Sequence, residues 1–124
     1  MKSLSPIPTW ILAILLALLF TAVGLSKVGG PSAARWNGRF QNWGYPAGSA
    51  HIVGVIEIAS GLALLLPWTR RTAAASLTIV MLGAFVTHLI HGEFVRLVSP
   101  VLFGTLSFLL FFFPCRAKPA LPTS

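Results

Sequence analysis

With 124 residues, 56% of them hydrophobic and only 9% charged, the chain is one domain at most and far too apolar for a soluble one, in which about a quarter of residues are charged. Its formal charge of +7 raises nucleic acid as a partner, but the nine basic residues are scattered at the ends of apolar runs and form no stripe. They serve as headgroup anchors and exclude a nucleic-acid interface; the lone Cys115 excludes an internal disulfide and a CxxC redox pair.

In chain order, Met1 to Pro8 is a short tail, and the stretch from Ser3 to Ser26 carries no charge before Lys27. A first membrane span over about 9–27 follows, with Trp10 as its interfacial aromatic. Lys2, the apolar run Ile11 to Phe20 and the small Ala22 and Gly24 imitate a signal peptide, but the uncharged stretch is long enough to cross a bilayer. Val28 to Ser49 is the long connection. Within it Trp36, Phe40 and Trp43 recur at i, i+4 and i+7 while Arg35, Arg39 and Asn42 fall to one side, which predicts an amphipathic interfacial helix over about 33–43. Gly44-Tyr45-Pro46 stops it, and Gly38 weakens it in the middle.

A second span is expected over 50–67, with Trp68 at its far interface, then a tight basic turn Thr69-Arg70-Arg71-Thr72, and a third span over 73–91 ending at Gly92. A fourth, over 94–113, bends at Pro100. Pro114 to Ser124 is a proline-containing tail. The expected fold is therefore all-α: a single domain over 1–124, an integral membrane four-helix bundle running up-down-up-down. Lys2, Arg70, Arg71, Arg116 and Lys118 then share a side with both termini, against Lys27, Arg35, Arg39 and Arg96 opposite, so the positive-inside rule places the termini in the cytoplasm.

The first functional suspect is Glu57, a carboxylate inside the apolar run from Ile52 to Trp68, where an ionisable group is costly without a partner or water. Gly54, Glu57 and Gly61 stand at i, i+3 and i+7, so the acid shares its face with residues that let a neighbouring helix approach. His51 at the start of span two, His88 and His91 at the end of span three, Lys27 and Arg96 arrive at one level, with the aromatic connection as a lid over this mouth. His88 is the expected partner of Glu57, because Lys27 can snorkel outward to the headgroups and the shorter imidazole cannot.

Three readings fit that constellation. Glu57 locks the bundle; or Glu57 and His88 face a quinone or similar amphipathic ligand, with Trp43 or Tyr45 over its ring; or His51, His88 and His91 hold a metal or haem. No CxxCH or HExxH motif accompanies the histidines, so no metal is assigned, and no catalytic residue is assigned either.

Gly24-Leu-Ser-Lys27, Trp43-Gly-Tyr-Pro46, Gly54-Val-Ile-Glu57 with Gly61 and Leu64-Leu-Leu-Pro67, and Met81-Leu-Gly-Ala84 with Thr87-His88 together resemble the DoxX-like family of small four-helix membrane proteins, over roughly residues 10 to 113. The resemblance implies a four-span bundle and carries over Lys27, Trp43, Tyr45, Pro46, Glu57 and His88 as pattern positions. It also implies an accessory or quinone-interacting subunit of a membrane redox system, such as a thiosulfate:quinone oxidoreductase, or, as the alternative, a non-enzymatic scaffold or assembly factor. The setting would be a bacterial inner membrane, and the partners lipid, a membrane or redox protein, or a second copy of the chain.

Overall fold

The structure, a computed structural model, describes residues 6–112. Five α-helices follow one another: α1 (Pro6–Val28), α2 (Gly30–Asn42), α3 (Ser49–Ala63), α4 (Pro67–Ile90) and α5 (Val98–Phe112), the last preceded by a 3₁₀ turn over Phe94–Leu97. No strand occurs among the described residues. Lys2, Cys115, Arg116, Lys118 and the predicted C-terminal tail lie outside the described residues, while residues 6–8 of the predicted N-terminal tail already belong to α1.

Among the described residues, three stretches are long and apolar enough to cross a membrane: Ile7–Val28, Pro67–Ile90 and Phe94–Phe112. Helix α3 is shorter. Its 15 residues rise about 22 Å, against a hydrocarbon core of about 30 Å. Large side chains such as Leu18, Ile52, Ile79, Leu82 and Val101 point outward, which is stable only where lipid covers them.

Two expected boundaries are corrected. Pro67 opens α4 instead of closing the preceding helix, and Thr69 to Thr72 are helical, not a turn. The reason is local. Proline fixes its own φ and lacks the N–H that a first helical residue does not need, while forcing the residue before it out of the helical region; Leu66 is accordingly extended at φ −101°, ψ 117°. The turn between α3 and α4 is therefore made of leucines, Leu64 to Leu66. The same rule acts at Pro100, which falls in the first turn of α5. The change of helical form comes before it, between Leu97 and Val98.

Helix α2 follows α1 after one residue because Gly30 adopts φ +76°, a region open to glycine at little cost. It packs on α1 and α3, α1 packs chiefly on α3, and α4 on α5. The α1–α3 contact is backbone on backbone. A Cβ at Gly24 would lie 2.6 Å from the Gly54 carbonyl oxygen, and one at Gly54 would lie 2.8 Å from that of Gly24. Gly61 is likewise closed off by Thr21, so the small-residue face read from the sequence is the face that meets a helix.

Away from that crossing, Ala13, Leu16, Phe20, Leu64, Ala74, Leu77, Met81 and Leu110 form a closed apolar core. Ser60 donates to Ser76 across α3 and α4 at 3.1 Å. Arg70, fully buried, donates from Nε to the Leu64 carbonyl at 2.7 Å and lies 4.2 Å from the centre of the Trp10 ring. Arg71 lies over Phe111 at 4.6 Å. These contacts bring the start of α1, the start of α4 and the end of α5 together.

Candidate functional site

Gly24 and Gly54 let α1 and α3 touch in opposite directions, which sets Lys27 beside Gly54 and within reach of Glu57, one turn further along α3. Lys27 Nζ donates to Glu57 Oε1 at 2.8 Å, both side chains being buried. The expected Glu57–His88 bond is not formed. Lys27 turns inward because α2 covers its way out: Trp36 lies 4.6 Å from Nζ, ring centre to nitrogen, and offers a π face to the ammonium. Trp36 is itself pinned, its Nε1 donating to Ser26 Oγ at 3.0 Å, and Ser32 Oγ donates to the Ser26 carbonyl at 2.8 Å. Glu57 Oε2 is buried with no hydrogen-bond partner among the described residues.

The ion pair forms one wall of a cavity of about 480 Å³, also lined by Trp36, Phe40, Trp43 and Tyr45 from the connection, Thr87 and His88 from α4, and Phe103 from α5. The aromatic rings run continuously. Trp36 meets Phe40 at 6.3 Å between centroids, and Phe40 meets Trp43 and Tyr45 at 5.3 and 5.6 Å. Two polar clasps hold this lid to α4. Tyr45 and Thr87 share a hydroxyl–hydroxyl hydrogen bond. Glu93 takes His88 Nδ1 on one oxygen at 2.7 Å and Trp43 Nε1 on the other at 3.3 Å. The bond from His88 holds the Glu93 carboxyl below the usual glutamate range, with Trp43 and His91 acting in the same direction.

Of the residues read from the sequence, Lys27, Trp43, Tyr45, Glu57 and His88 therefore line one cavity, and His51, exposed on α3, does not. Of the three histidines offered as the alternative for a metal or haem, His51 lies apart from His88 and His91. No group of three or more His, Cys, Asp or Glu able to hold a metal gathers among the described residues: His88 Nδ1 is engaged by Glu93, and His91 Nδ1 donates to the Thr87 carbonyl at 2.8 Å. Arg96 is exposed and does not line the cavity. Trp36, Phe40, Thr87 and Glu93 escaped notice as site residues. Phe40 and Trp36 belong to the same i, i+4, i+7 stripe as Trp43, and Glu93 is one of only two acids in the chain. Both signals were available.

The arrangement is an aromatic chamber with the buried Lys27–Glu57 ion pair in its wall. A family profile described as the DoxX-like family matches residues 11–110. No curated protein and no solved structure matches the chain.

Proposed function

The chain belongs to the DoxX-like family, and we propose that it is an accessory subunit of a membrane redox system that holds a quinone in the cavity above Glu57. The observation that carries this reading is Glu57 in the wall of an aromatic cavity of about 480 Å³, its Oε2 buried and without a hydrogen-bond partner among the described residues. A planar ring with an apolar tail suits the aromatic walls, and an oxygen on it that can carry a proton could meet the unpartnered carboxylate oxygen. Trp36, Phe40 and Trp43 would pack on the ring, Glu57 and His88 would meet its oxygens, and the tail would leave between helices into lipid. Bound there, a quinone would supply two-electron, two-proton carrier chemistry. One cysteine in the chain cannot make a dithiol, so electrons are exchanged with a partner protein.

The same reading takes the chain as one integral membrane domain over 1–124 crossing four times, up-down-up-down, with α3 as the short second crossing and its leucine turn reaching the interface. The contacts of Arg70 with Trp10 and Arg71 with Phe111 support it. Those arginines would lie on the cytoplasmic face of a bacterial inner membrane, with both termini.

Solvent extraction of protein purified in mild detergent, followed by mass spectrometry, should find quinone near one per chain. Ala84→Phe, which fills the cavity from α4, should lower that content at least tenfold with the unfolding temperature preserved. Protein that carries no quinone and takes none up on incubation would favour the scaffold reading instead.

A further inference from the structure

Resting on the quinone reading above, we infer that the cavity binds the reduced, dihydroxy form of its ligand in preference to the oxidised dione. The two forms differ in hydrogen-bond character. Carbonyl oxygens only accept, whereas the hydroxyls of a hydroquinone also donate.

Most of the protein's own donors at the cavity are already engaged. Trp36 Nε1 gives its proton to Ser26 and Trp43 Nε1 gives its proton to Glu93. The Thr87 hydroxyl donates to the Gly83 carbonyl at 2.8 Å, which can only accept. Thr87 has a single proton, so in its bond with Tyr45 the tyrosine is the donor. An ionised Glu93 likewise accepts only, which makes His88 Nδ1 a donor and, in the neutral ring, leaves Nε2 an acceptor. Lys27 gives one of its three protons to Glu57 and lies over the Trp36 ring; a proton left over can be accepted by a carbonyl or a hydroxyl alike and does not discriminate. Ser49 and Ser99, which also line the cavity, can give or take and do not discriminate.

What discriminates is acceptor capacity, above all Glu57 Oε2, buried and without a hydrogen-bond partner among the described residues. An unmet buried acceptor is unfavourable, and a charged one more so. A ligand hydroxyl relieves it; a carbonyl oxygen set against it adds repulsion between two acceptors. The Lys27–Glu57 pair also leaves that wall without net charge, so nothing there favours an anion over a neutral ligand.

The test is calorimetric titration under argon of the full-length protein in phosphatidylcholine nanodiscs, with decylubiquinol and decylubiquinone in parallel and protein-free discs as the blank. The reduced form is expected to bind at least tenfold tighter, equivalent to a rise of about 30 mV in the bound midpoint potential of a two-electron couple. Equal affinities, or tighter binding of the oxidised form, would overturn the inference and leave the quinone reading standing. Failure of both forms to exceed the blank would overturn the quinone reading itself. The paired variant Lys27→Met/Glu57→Gln leaves no unmatched charge and should bring the preference below threefold. A preference that survives it would overturn the assignment to Glu57, and the parent titration decides the preference even if that variant does not fold.

Discussion

Arg70 and Lys27 are both buried cations, and each lies over a tryptophan, Arg70 at 4.2 Å from Trp10 and Lys27 at 4.6 Å from Trp36. Their surroundings differ. Arg70 gives Nε to the Leu64 carbonyl, and Leu64 belongs to a closed apolar core with Leu16, Leu77 and Leu110. Lys27 faces a carboxylate with a second oxygen left over, beside a cavity. A backbone carbonyl has no protonation state to change. A carboxylate has both a charge and a spare acceptor, so the comparison separates burial of a charge, which either half manages, from availability for chemistry, which only the cavity half offers.

The largest effect expected on this comparison comes from Lys27→Met. It strands Glu57 as an uncompensated buried charge, which typically destabilises by about 3–5 kcal/mol, and thermal unfolding in detergent should show it. Lys27→Met/Glu57→Gln should recover most of the loss, because a matched polar or apolar replacement of a buried pair is often close to neutral. A single variant as stable as the parent would mean that the pair contributes nothing to holding α1 against α3.

Next in size is the crossing that brings the pair together. Gly24→Ala or Gly54→Ala sets a methyl group within 2.6–2.8 Å of a backbone oxygen on the facing helix, and backbone must move to admit it. Overpacking of this kind destabilises by about 1–3 kcal/mol; it should also separate Lys27 from Glu57. Gly38 provides the contrast. A Cβ there meets nothing within 4 Å, and Gly38→Ala should stabilise α2 by up to about 1 kcal/mol. Equal losses at Gly38 and Gly54 in denaturation scans would remove close approach as the explanation.

How far the sequence was legible follows the same division. The Gly54, Glu57, Gly61 face could be read because its spacing is local to one helix, and it is the face that meets α1. The partner of Glu57 could not. Whether Lys27 turns inward depends on where α2 lies, and α2 is held by Trp36 and Ser32 reaching Ser26, contacts that no periodicity contains. The helix boundary at Pro67 was misread because the apolar run continues unbroken through Leu64-Leu65-Leu66. Hydropathy does not register a turn made of leucine, although the proline rule would have.

The smallest effect expected is at the Glu93 clasp, and it tests whether the lid alone answers to acid. Glu93 is partly exposed, so screening keeps its contribution modest, but the direction is fixed. Its carboxyl is held below the ordinary value of 4.5, first by the hydrogen bond from His88. A group whose folded value is depressed contributes stability that is fully present above the unfolded value and is lost as the pH falls through the folded one. The clasp should therefore be unaffected by Glu93 titration from pH 7 down to about 4.5 and loosen below that, when a protonated Glu93 no longer offers two anionic acceptors to His88 and Trp43. Hydrogen exchange over residues 36–46 should rise in that acid window, while residues 67–77, around Arg70, should show no matching rise. Glu93→Gln removes the titrating group and should abolish the acid step. The same step persisting in Glu93→Gln would assign the pH response to another group and leave the two halves of the molecule without this distinction.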